Sequence, residues 1–190
     1  MKNIGLIIVT CLLASCNLTK FDRFPGATQQ AFPTAMQGNY QFVLPKGFSM
    51  FNKTKPGDTV LLQIGADFTS DFEDNNTLKK LDSTYVLSLV NNAHYVLSVK
   101  DKTYTDYWNC YVLALQKDNL RLYPITEMQD KKVQKRYFNA HFVALKNETD
   151  SVFAYTQKDS AFARYFEREI KPVGGFKFIR VNPNKPPVKK

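Results

Sequence analysis

Three times between residues 85 and 115 the chain spells Tyr-Val-Leu, then Ser or Ala, then an aliphatic residue: at 85–89, 95–99 and 111–115. Successive side chains of a strand point to opposite faces, so Tyr85, Leu87 and Leu89 share one face while Val86, Ser88 and Val90 share the other. Asn91-Asn92-Ala93-His94 supplies turn residues between the first two repeats, which predicts a hairpin. The layout recurs at 112–116 and 120–123 around Lys117-Asp118-Asn119, and again at 142–145 and 152–155 around residues 146–150. Successive hairpins of this kind make an antiparallel meander. The repeats are too close and too irregular for a solenoid, which needs a fixed period of about twenty residues or more.

Further strands are expected at 40–44, 59–64 and 176–181. Ahead of the last lies a helical pattern at about 161–170, where Phe162, Tyr165, Phe166 and Ile170 form an apolar stripe. Asp159 or Ser160 is placed to cap its start, and Pro172 with Gly174-Gly175 to end it. Thr126 and Gln129 have capping-box spacing and mark a second, weaker helix. The expected fold is therefore mainly all-β: an antiparallel meander whose sheet curls or closes into a barrel, with one C-terminal helix before the last strand. A small barrel leaves either a packed interior or a cavity, and that difference separates the functional readings below.

The N-terminus has a different character. Lys2 precedes an apolar run from Ile4 to Ala14, which ends in Leu13-Ala14-Ser15-Cys16. These residues resemble a bacterial lipoprotein signal ending in a lipobox, so residues 1–15 are expected to be a signal peptide and Cys16 the lipid-attachment residue. The resemblance implies a covalent diacylglycerol and an N-acyl lipid on Cys16, and no other cofactor. An apolar run of roughly ten residues is half the length that spans a hydrocarbon core. Asn17, in place of an Asp directly after the lipidated cysteine, implies passage to the outer membrane. The membrane, through this anchor, is the first expected partner, with the cell envelope as the location. Residues 16–37 carry little periodicity and read as a lipidated tether, although Phe24-Pro25-Gly26 and Phe32-Pro33 suggest that part of it lies on the domain. The β-meander domain is expected over 38–181 and a basic Pro/Lys tail over 182–190. With Cys11 removed and Cys16 acylated, Cys110 stands alone, so no internal disulfide can form, and its strand setting reads as a small buried hydrophobe.

Charge is distributed unevenly. Residues 17–99 hold seven Lys plus Arg against seven Asp plus Glu, whereas residues 100–190 hold eighteen against ten. Lys131, Lys132, Lys135 and Arg136 concentrate part of the excess, and the tail carries more. For an exported chain these are candidates for contact with an acidic envelope protein or an anionic envelope polymer rather than nucleic acid.

Gly38-Asn39-Tyr40 and Thr105-Asp106-Tyr107 resemble the Gly-x-Trp and Thr-Asp-Tyr motifs of lipocalins, with Tyr in place of Trp. The resemblance spans about residues 38–181 and implies a barrel that holds a small hydrophobic ligand. No arginine role carries over, because Arg121 and Arg164 stand at the wrong places for the third motif of that family. The same features also resemble small envelope lipoproteins without an assigned activity.

Motifs of enzyme chemistry are missing: no Gly-x-Ser-x-Gly, no phosphate-cradling glycine loop, no His-Glu-x-x-His and no Cys-x-x-Cys. An acid–base pair would need His94 and His141 to meet. Asp71, Glu73 and Asn75 alternate like the start of an EF-hand loop, but Asn76 replaces the required Gly and Asp82 the final Glu, so a solvated loop is the better reading. No catalytic or metal-binding residue is expected and the chain does not read as an enzyme. Tyr104 and Trp108 would share one strand face and are candidates for contact with an apolar ligand. The leading expectation is an interaction or accessory subunit of a cell-envelope assembly; a lipocalin-like carrier is the alternative.

Overall fold

The computed structural model describes residues 20–43, 59–70, 77–102, 105–125, 136–144, 151–156 and 158–181. They form a curled, mostly antiparallel sheet with one short helix on its outer side. Its strands are β1 (Lys20–Phe21), β2 (Ala27–Gln29), β3 (Gly38–Val43), β4 (Thr59–Ile64), β5 (Phe68–Ser70), β6 (Leu78–Lys80), β7 (Tyr85–Val90), β8 (His94–Lys100), β9 (Trp108–Gln116), β10 (Asn119–Pro124), β11 (Asn139–Ala144), β12 (Ser151–Thr156) and β13 (Phe176–Arg180).

The expected hairpins are present. β7 pairs with β8 and β8 with β9, then β9 with β10, and β11 with β12, all antiparallel. Asn91 and Asn92 take φ of 54° and 53° in the three-residue loop between the paired Val90 and His94, and the Ala93 amide donates to the Val90 carbonyl at 3.0 Å. From β10 the sheet continues through β13, β3, β4 and β5 to β6, while β2 pairs with the outer edge of β7. It curls as a half-barrel, and two hydrogen bonds cross the gap between its ends. The Phe32 amide donates to the Ala66 carbonyl at 2.7 Å, and the Thr69 and Tyr85 hydroxyls meet at 2.6 Å.

The curl creates two cores, one on each face. Inside, Leu87, Leu97, Leu113, Leu120, Leu122 and Phe178 meet Val60, Leu62, Ile64 and Tyr40, with Phe32 and Met36 filling the space between. Outside, Val86, Val96, Cys110, Val112 and Tyr123 lie beneath helix α1 (Asp159–Tyr165), which buries Phe162 and Tyr165 and continues as a wider turn through Phe166–Ile170. Period-two alternation thus buries both faces of β7, β8 and β9, and this is why their polar positions are small residues such as Ser88 and Ser98, both fully buried.

Two expectations need correction. The domain does not start at Gly38: residues 20–37 contribute β1, β2 and the 3-10 turn Thr34–Met36, with Phe21 fully buried and Phe32 nearly so. The tether was read from missing periodicity, but a strand of two residues has no period to show. Nor is the helix capped by Asp159 or Ser160. Lys158 is its N-cap, and the Asp159 carboxylate instead accepts from the Gly26 amide at 2.9 Å. That residue has to be glycine, since its φ is +80° and a Cβ would sit 2.5 Å from the Leu89 carbonyl oxygen. Phe68–Ser70, just ahead of the acidic stretch, form β5. Asp71, Glu73, Asn75 and Asn76 lie outside the described residues, as does the segment from Thr126 that was read as a second helix.

Candidate functional site

Most residues singled out from the sequence fall outside the described set: Cys16, Tyr104, Lys131, Lys132 and Lys135. Arg136 is described and exposed. Trp108 is 8% exposed, stacked edge-on against Phe24 at 5.1 Å with the Lys100 ammonium 5.5 Å from its ring centre. It belongs to the outer core, next to Phe21 in the β1–β9 register. Cys110 is buried beside the Ser98 hydroxyl at 3.5 Å, and loss of solvation pushes its thiol up to about 12. Such a thiol is inert at neutral pH. His94 opens β8, its ring 5.0 Å from that of Phe166 and its Nε2 3.3 Å from a Glu167 carboxylate oxygen. His141 lies on β11. Among the described residues no group of three His, Cys, Asp or Glu is placed to hold a metal ion.

On the concave side, the space a barrel ligand would take is occupied by Tyr40, Phe32, Leu62, Leu87, Leu97 and Phe178, each at most 2% exposed. An open cleft of about 390 Å³ lies at the edge of the sheet instead, where β7 runs beyond the end of β2. Phe24, Gln29, Leu81, Asp82 and Tyr85 line part of it. The Asp82 carboxylate is turned back onto the Thr84 and Tyr85 amides, and those hydrogen bonds hold its pKa below the usual value.

The convex side offers the more distinctive surface. Helix α1 and the turn after it cover β7 to β10 as far as Tyr123, whose ring meets Phe166 at 5.1 Å. Beyond that line no element among the described residues packs on the outer side of the sheet. Asn119, Ile179, Gln41 and Leu61 stand in one register row across β10, β13, β3 and β4, and Val43 lies opposite Thr59 on the same face. Ile179 is 51% exposed, Leu61 49% and Val43 58%. In the next row Lys177 stands opposite Arg121, which also donates to Gln116 at 2.9 Å. None of these positions is acidic. The face is apolar at its centre and cationic at one side, whereas ordinary solvent-facing strands alternate cleanly to polar residues. Leu61 was visible in the sequence as the one apolar residue between Thr59 and Gln63 on the polar side of an alternating strand. Ile179 and Val43 gave no such signal without the register that aligns them.

A second constellation holds β1 in place. The Lys20 ammonium is buried in an ion pair with Asp101 and donates to Asn109 at 2.9 Å, and Asn109 in turn donates to Asp101 at 3.0 Å. The backbone of Lys20–Phe21 runs parallel to Ala154–Tyr155 of β12 and antiparallel to β9 at Trp108. Phe21 then packs against Phe138 at 5.6 Å and Phe162 at 5.9 Å.

No protein-family model matches the chain, and comparison with curated proteins and with solved structures finds no match. No helix among the described residues is long and apolar enough to cross a membrane.

Proposed function

We propose that this chain is a lipid-anchored protein of the cell envelope whose domain acts as an interaction or accessory subunit of an envelope assembly. The observation that carries the reading is the bare face of β13, β3 and β4, where Val43, Leu61 and Ile179 stand about half exposed next to Lys177 and Arg121. An apolar centre with a cationic margin suits a protein partner with an acidic rim. Lys131, Lys132, Lys135, Arg136 and the basic tail would add attraction to the same kind of partner. Anchoring through an acylated Cys16 supplies the membrane half of the reading.

The test is the size of the native assembly solubilised from membranes, compared between the wild-type chain and the Leu61→Lys, Ile179→Lys double variant. Both residues are surface positions, so the fold should survive. The proposal expects the variant to leave the assembly and migrate as a free subunit; co-migration identical to wild type would refute it.

Carriage of a small hydrophobic ligand is the alternative, favoured only by the open cleft beside Phe24 and Tyr85. Packing of Tyr40, Phe32, Leu62, Leu87, Leu97 and Phe178 on the inner side speaks for the first reading. Native mass spectrometry of the purified domain separates the two readings, because a carrier brings an extractable mass of a few hundred daltons with it, on the order of a drug-sized ligand.

A further inference from the structure

The open cleft beside β2 has a floor and a rim of different chemistry. Its floor is apolar: Val86 is buried, while Leu81 and Phe24 are half-buried, and Phe24 is steadied edge-on against Trp108. Its rim is polar, because Gln30, Asp82 and Ser83 are exposed. No Lys, Arg or His is among the described residues that line it.

Two acceptors at this rim are oriented by the protein itself. Oδ1 of Asp82 takes hydrogen bonds from the Thr84 amide at 2.6 Å, the Thr84 hydroxyl at 2.8 Å and the Tyr85 amide at 2.9 Å. The Asp82 amide donates to the Tyr85 carbonyl at 3.1 Å, and the Tyr85 hydroxyl is tied to Thr69. One carboxylate oxygen is thus committed to the turn, which sets the direction of the other, Oδ2. The Gln29 amide nitrogen is likewise turned onto the Ala27 and Thr28 carbonyls, so its Oε1 is the end left to accept.

This chemistry narrows the ligand. An ionised carboxylate in a lining without cations disfavours phosphates and carboxylates. A wholly apolar ligand would strip water from oriented acceptors and give nothing back, and a lone ammonium would leave the apolar floor uncovered. A pyranose ring has what both parts ask for, hydroxyl donors around its edge and an apolar C–H face that packs on an aromatic ring. We propose that the cleft binds a neutral saccharide, with its C–H face on Phe24 and Leu81 and its hydroxyls donating to Asp82 Oδ2 and Gln29 Oε1. At about 390 Å³ the cleft is near the lower end of small-molecule sites, so it takes the end of a glycan rather than a long stretch of one. The site is separate from the apolar face of β13, β3 and β4 and stands or falls independently of the function proposed for that face.

The experiment offers the purified full chain, in detergent, an array of neutral, acidic and free-amine oligosaccharides. Neutral members should be retained. Asp82→Asn keeps an acceptor for the Thr84 and Tyr85 amides but makes the second oxygen a donor, and should weaken retention about tenfold, as for other hydrogen bonds to charged groups. Ser83→Trp, at an exposed position outside that hydrogen-bond set, should block the cleft and abolish retention with unfolding unchanged. The Leu61→Lys, Ile179→Lys variant should bind as wild type does, which separates this site from the partner face. No retention by the folded chain, retention of acidic or amine-bearing members alone, or retention that neither cleft variant alters would overturn the proposal.

Discussion

Arg180, on the last strand, lies over the ring of Tyr40, on the first long one, with its guanidinium carbon 5.1 Å from the ring centre. The same guanidinium donates to the Tyr40 hydroxyl at 2.7 Å, to the Gln37 carbonyl at 3.0 Å and to the Ala35 carbonyl. Tyr40 donates onward to the Met36 carbonyl at 2.9 Å. One side chain thus ties the 3-10 turn Thr34–Met36 and the start of β3 to the end of β13. Burial raises the Tyr40 pKa while the Arg180 charge opposes that shift, so the phenol stays neutral and keeps its proton for Met36.

Replacing Arg180 with Met should lower stability by about 2–3 kcal/mol, the sum of a charge-assisted hydrogen bond and a desolvated cation–π contact. Tyr40→Phe should cost about 1 kcal/mol. Urea unfolding of both single variants and the double variant gives the coupling. If the two costs simply add, the residues act separately and the tie described above is wrong.

Phe21→Ala should cost about 3–5 kcal/mol, as for other buried aromatic residues, although it lies outside the meander. Lys20→Met should be similarly damaging, at about 3–5 kcal/mol, because it leaves the Asp101 carboxylate buried and without its cation. Adding Asp101→Leu to Lys20→Met should recover much of that loss. Thermal unfolding of the three variants decides this, and a neutral Phe21→Ala would return residues 20–37 to the status of a tether.

His94 carries a folded pKa below its ordinary value of 6.5, chiefly because burial disfavours the cation, while Glu167 pulls the other way and Lys171 adds to the depression. Below 6.5 the unfolded chain takes up a proton that the folded chain resists, so stability is full above that pH and declines as pH falls from it towards the folded pKa. Glu167→Gln removes the one favourable charge and should steepen the decline. Midpoints of urea unfolding between pH 5 and 8 report it, on the range where histidine titrates; a decline left unchanged by His94→Gln would assign it to other groups.

The meander could be read because each strand from 85 to 123 repeats its alternation and is followed by residues suited to turns. Even so, alternation alone leaves the two cores undistinguished. Val86 and Leu87 look alike in sequence, yet one faces the helix and the other the inside of the curl. β1 and β5 were missed because two or three residues cannot show a period, and Phe24 and Phe32 were the hint that part of residues 16–37 lies on the domain. The bare face was hidden for another reason. Leu61 and Ile179 are 118 residues apart in the chain and become neighbours only when Gln41 lies between them in register.

Among the described residues, β1 is the one strand through which the β11–β12 hairpin joins the rest of the sheet. Any tension reaching Lys20 from the chain ahead of it therefore meets a segment gripped on both edges, by β9 on one side and β12 on the other. A pull along that segment strains its hydrogen bonds and the Lys20–Asp101 pair together rather than one after another. The shortest strand of the fold is also its mechanical anchorage, and a force large enough to free it would uncouple the hairpin from the sheet.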